Sequence, residues 1–151
     1  MKLQNQDMLK MSGELHVVVR DDLGIIKQEF TVPNLIVTAG KEYIASRMTG
    51  TSSAIMSHMA IGTGVTAPVV SNTTLQAEAA RVGLTTFTTS TNQVTSTATF
   101  PANVPSSGLA MTEAGIFNAS TAGTMLCRTT FPVVNKSAGD SITISWVVTV
   151  S

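Results

Sequence analysis

Charge is scarce in this chain, and the scarcity excludes several functions at once. Only 12% of its 151 residues are Asp, Glu, Lys or Arg, about half the usual share for a soluble protein. Nine basic residues balance nine acidic ones, so no basic surface is expected for nucleic acid or for an anionic membrane. Aromatic residues make up 5%, too few to alternate with cations as stacking platforms for single-stranded nucleic acid. The one cysteine, Cys127, rules out an intramolecular disulfide. Its setting, Met125-Leu126-Cys127-Arg128-Thr129, reads as a strand with a buried, inert thiol. His16 and His58 are the only imidazoles, and neither has a second His or Cys at ligand spacing, so no metal site is expected. No apolar run is long enough to span a bilayer, and the opening MKLQNQDMLKMSG lacks the apolar core of a secretion signal.

What is present is hydroxyl and β-branched. About two-thirds of the charges fall in the first third of the chain; from Thr51 onward Thr, Ser, Ala, Val and Gly dominate. A mean hydropathy of +0.27 with so little charge suggests that part of the surface is covered by another chain. Residues Met1–Ser12 are polar and poorly patterned and read as an arm, ordered only if something holds it; a short amphipathic helix using Leu3, Met8 and Leu9 is the alternative. Gly13–Arg20 and Ile25–Val32, joined by Asp21-Asp22-Leu23-Gly24, form a hairpin signal. Thr38–Met48 is the best helix, with Thr38 as its cap, Tyr43, Ile44 and Met48 on one face and Gly50 ending it. A second helix is expected no earlier than Thr73 (Thr73–Ala80).

Beyond Arg81 the pattern is strand after strand. Val82–Thr88, Val94–Phe100, Thr112–Ala119, Gly123–Phe131 and Asp140–Val150 alternate with turns. Val94, Ser96, Ala98 and Phe100 share one face, with Thr95, Thr97 and Thr99 on the other; Ile142, Ile144, Trp146, Val148 and Val150 likewise alternate with Thr143, Ser145, Val147 and Thr149. Trp146 is placed as a core anchor. The fold class is therefore all-β: a jelly-roll-like β-sandwich of about eight strands with one short α-helix near residues 38–49. An arm at 1–12 precedes a single domain at 13–151.

The stretch Gly62-Thr63-Gly64-Val65-Thr66-Ala67 matches G-x-G-x-x-A, but its context is wrong for a dinucleotide. Pro68 holds Ala67 extended, and no helix opens where a pyrophosphate would need its N-terminus. Gly50-Thr51-Ser52-Ser53-Ala54 lacks the second glycine of a nucleophile elbow and follows a helix rather than a strand. Asp21 and Asp22 read as solvated turn carboxylates. Glu113 stands beside an apolar strand and needs a partner; Arg128 and Arg81 are the candidates, and a structural ion pair, Glu113 with Arg128, is the principal expectation. No catalytic residue and no cofactor are assigned, and the chain is not expected to be an enzyme.

Four pieces carry a resemblance. They are NLIVTAGKEYIASRM (Asn34–Met48), SHMAIGTGVTAP (Ser57–Pro68) with TTLQAEAAR (Thr73–Arg81), TEAGIFNASTAGTMLCRTTF (Thr112–Phe131) and SITISWVVTV (Ser141–Val150). In this order they resemble the capsid decoration (cement) proteins of tailed bacteriophages, and the "TAG…AIGTG" part is also similar to a motif near the start of some tail-collar fibre proteins. The resemblance implies a virion protein on the outer capsid surface, synthesised in the host cytoplasm. Its partners would be the major capsid protein and further copies of itself, as a homodimer or homotrimer, without nucleic acid or membrane. Leu3, Met8, Leu9 and Met11 of the arm are the candidate partner-binding residues. A tail-fibre, collar or baseplate component is the alternative within a virion. A carbohydrate-binding β-sandwich is the alternative of another class.

Overall fold

The computed structural model describes residues 9–51 and 54–151. Among the described residues ten strands form two antiparallel five-stranded sheets with one helix, in the order β1 (Met11–Arg20), β2 (Ile26–Pro33), β3 (Leu35–Ile36), α1 (Thr38–Met48), β4 (His58–Gly62), β5 (Glu78–Gly83), β6 (Thr86–Ser90), β7 (Gln93–Phe100), β8 (Leu109–Phe117), β9 (Met125–Lys136) and β10 (Ser141–Val150). The first sheet runs β2-β1-β10-β7-β6 and the second β3-β9-β8-β4-β5. The first strand pairs with the last on one sheet and the third with the ninth on the other, a nested antiparallel pairing that closes the two sheets into a β-sandwich; β4 with β8 continues the nesting inside the second sheet.

Alternation builds the core. Leu15, Val17 and Val19 of β1 and Ile142, Ile144, Trp146 and Val148 of β10 are buried, as are Ala98 and Phe100 of β7. They meet Met59, Ile61, Met111, Ala114, Ile116 and Cys127 of the second sheet in one cluster. Trp146 has no exposed surface. The opposite face of the first sheet carries hydroxyls that bond across strands, Thr99 Oγ1 to Thr143 Oγ1 at 3.2 Å among them. The β1–β2 hairpin turns at Gly24, whose φ of +80° favours glycine. Asp21 Oδ1 accepts from the N–H groups of Leu23 and Ile25 and fixes that turn.

Several local expectations are corrected. The helix has Val37, not Thr38, as its N-cap, and no side chain caps it. Tyr43 and Ile44 pack on the core, but Met48 is 85% exposed. The strand expected over Val82–Thr88 is two strands, because the chain leaves the second sheet after Leu84 and joins the first at Thr85. Leu84 N–H donates to Ser57 O and Thr85 N–H to Thr97 O. The helix expected over Thr73–Ala80 is absent; the chain there is an irregular loop leading into β5. Strand β1 begins at Met11, so the sheet reaches two residues into the segment read as an arm.

Candidate functional site

The polar centre of the molecule is Glu113, on β8, beside Arg128 of the neighbouring strand β9 in the second sheet. Neither residue exposes more than 1% of its surface. The β8–β9 register sets Glu113 against Thr130 and Gly115 against Arg128, which puts the two charged side chains two positions apart on adjacent strands. Arg128 donates to Glu113 Oε2 through Nε at 3.0 Å and Nη2 at 2.8 Å, a fork that holds the carboxylate in one orientation.

The rest of the carboxylate is filled by backbone. Gly64 N–H (3.0 Å) and Ala77 N–H (2.7 Å) donate to Oε1, and Gln76 N–H (3.0 Å) donates to Oε2. Burial alone would raise the Glu113 carboxyl, but the N–H groups of Ala77 and Gln76, the Arg128 guanidinium and the Gly64 N–H outweigh it. The carboxyl therefore lies below its ordinary range. Arg128 also donates through Nη1 to Asn72 Oδ1 and through Nη2 to Thr66 O, both at 3.0 Å. Thr112 Oγ1 donates to Gly64 O at 2.9 Å, and Thr66 N–H donates to Gln76 Oε1 at 2.8 Å. One buried ion pair thus fastens both ends of the long loop between β4 and β5 to the β8–β9 pair.

The two glycines of the G-x-G stretch are explained by this fastening. A Cβ on Gly62 would stand 2.3 Å from Ala77 O, and one on Gly64 would stand 2.5 Å from Glu113 Oε1. The loop needs glycine so that its backbone can reach a carboxylate of its own chain. A cavity of about 280 Å³ lies beside the pair, lined by Thr66, Asn72, Thr74, Gln76 and Arg128 among others.

The other expected residues have other places. Arg81, the second candidate for Glu113, pairs with Glu78 at 2.7 Å, donates to Ala119 O and Ala122 O, and lies 3.8 Å over the Phe117 ring. His58 bonds to Ser57 Oγ through Nδ1. It sits at the end of β4 opposite Phe117, while Gly62 at the other end is opposite Glu113; the strand keeps the imidazole and the ion pair apart. His16 pairs with Glu29 on the exposed face. Cys127 is buried, which pushes its thiol well above the usual range. Of the arm residues, Leu3 and Met8 lie outside the described residues. Leu9 is 72% exposed. Leu9 and Met11 border the same groove as Ile44 and Met48 of α1, about 700 Å³ in volume.

Sequence reasoning missed the backbone donors at Gly64, Gln76 and Ala77, and Asn72 as an acceptor for Arg128. It also missed Asp140, buried at the β9–β10 turn, where Lys27 Nζ (2.5 Å) and Ser137 N–H (2.8 Å) hold its carboxyl below the ordinary range. The turn at Asn135–Gly139 just before Asp140 was visible, but nothing in the sequence links it to Lys27. Among the described residues no group of three or more His, Cys, Asp or Glu could hold a metal ion, and no helix is long and apolar enough to cross a membrane. Comparison with family models, with curated proteins and with solved structures finds no match for the chain.

Proposed function

We propose that this chain is a virion structural protein, a capsid decoration protein that binds the outer surface of a tailed-phage head and stabilises it. It would act as a homo-oligomer seated on the major capsid protein. One observation carries the reading: two of the four pieces that carry the resemblance, the second with its continuation and the third, converge on the same buried carboxylate. Gly64 comes from the second piece and Gln76 and Ala77 from its continuation, while Glu113 and Arg128 come from the third. Chemistry-bearing side chains are used to lock a loop to a sheet rather than to face a substrate. Such long-range ties, in two sheets closed over one apolar core, suit a part that must hold its shape under load. Trp146, the best candidate for a glycan platform, is wholly buried, which weighs against the carbohydrate-binding alternative.

The test is co-sedimentation of the purified protein with undecorated heads of the phage that encodes it. The full chain should pellet with the heads. A variant lacking residues 1–8 should stay in solution with an unchanged melting curve; the deletion stops there because β1 starts at Met11. Absence of full-length binding would contradict decoration, and equal binding by the shortened chain would remove the arm from the account.

A further inference from the structure

The four sheet edges of this sandwich are not alike. An edge strand presents a row of unpaired N–H and C=O groups, and folded proteins guard such rows with charge, proline, bulges, shortness or a covering element. Strand β2 carries Lys27, Glu29 and Pro33, with a bulge at Val19/Arg20 on its partner. Strand β5 carries Glu78 and Arg81 and meets β4 across a bulge at Ile61/Gly62. Strand β3 is two residues long and runs into α1, whose Gly40 packs directly on Leu126 of β9. Strand β6, Thr86-Phe87-Thr88-Thr89-Ser90, has none of these guards among the described residues. All five of its residues are exposed, and it pairs with β7 in unbroken register. No charged residue lies anywhere between Arg81 and Glu113.

We propose that the bare edge of β6 is a self-association surface, on which a second copy of this chain pairs its own β6 antiparallel across a two-fold axis through Thr88. The proposal names the contact behind the self-association put forward above and rests on that part of the reading, not on attachment to a head. A two-fold contact sets each patch against itself, so any charge at its centre would face its own copy; the absence of charge satisfies that condition. The pairing sets Thr88 opposite Thr88 of the second copy, joins two five-stranded sheets edge to edge, and satisfies the free backbone groups of both strands. Phe87 is 41% exposed. Across the axis the two Phe87 rings lie on one face as diagonal neighbours, within reach of each other, so pairing removes both from water. Thr, Phe and Ser on an edge strand favour β-pairing and carry no charged group that would pair with a charged partner.

The test is sedimentation equilibrium of the purified full-length chain, without particles, beside Thr88→Lys, Thr88→Glu and their equimolar mixture. Two like charges about 5 Å apart at the axis should weaken association by at least tenfold in each single variant. The mixture should recover association as a mixed species. Circular dichroism, and melting curves taken at concentrations low enough for wild type to be monomeric, should match wild type in both variants, and two variants of opposite charge guard against one of them misfolding. A wild-type chain that stays monomeric, variants that associate like wild type, or a mixture no stronger than its components would each overturn the proposal. Because no head is present, any of these results leaves head attachment as a separate question.

Discussion

The loop-fastening centre around Glu113 and the hairpin of β6 and β7 treat charge in opposite ways. At the first, a carboxylate and a guanidinium are taken fully out of water, and every cost of doing so is offset by donors from three separate stretches of chain. At the second, charge is absent altogether, and an exposed strand is left to hydroxyls and one half-exposed ring. In a chain this poor in charge, Glu113 and Arg128 are drawn inward, where they hold a long loop, while β6 and β7 carry no charge at all. Low charge therefore has two meanings here, and only the structure separates them.

The sharpest way to break the contrast is at its buried end. Glu113→Gln leaves Arg128 buried without its counter-charge and turns an amide N–H₂ towards backbone donors. A loss of about 3–5 kcal/mol is expected, lowering Tm on the order of 10 °C in a calorimetric scan; an unchanged Tm would show that the pair carries no load. Gly62→Ala should cost roughly 1–3 kcal/mol, because the added methyl meets the Ala77 carbonyl and backbone must shift. Acid gives a third measure. Glu113 and Asp140 both have carboxyls lowered in the folded state. Their contribution is complete above the unfolded value of about 4 and is lost as pH falls through the lowered folded values. Urea midpoints measured from neutrality downward should therefore drop below about pH 4, and Glu113→Gln should flatten that drop. At the other end of the comparison, Thr88→Lys should change stability by less than about 0.5 kcal/mol, as expected of an exposed site outside the core. A large loss of monomer stability there would mean that β6 is a structural strand rather than a free surface.

How far the sequence could be read follows the same division. Period-two alternation exposed β7 and β10 because each buries one face, and the β1–β2 hairpin was visible in Asp21–Gly24. Glu113 with Arg128 was legible because a glutamate flanked by Gly115, Ile116 and Phe117 must find a partner. The segment Thr73–Ala80 misled for a physical reason. Its Leu, Gln, Glu and Ala favour a helix, yet the N–H groups of Gln76 and Ala77 are claimed by Glu113 from another strand, and Leu75 is buried beneath the loop. Tertiary hydrogen bonds overrode local propensity, and no window of sequence contains both partners. The division of Val82–Thr88 was hidden for a similar reason, since a chain crossing from one sheet to the other keeps its β character throughout. The differing edges were equally out of reach, because which strand lies at an edge is a property of strand order.

Antibody-gold labelling of purified particles from the source, viewed by electron microscopy, bears most directly on the proposed role. Gold spread over the heads is the expected result. Gold confined to the tail tip or collar, or particles that carry none, would contradict it.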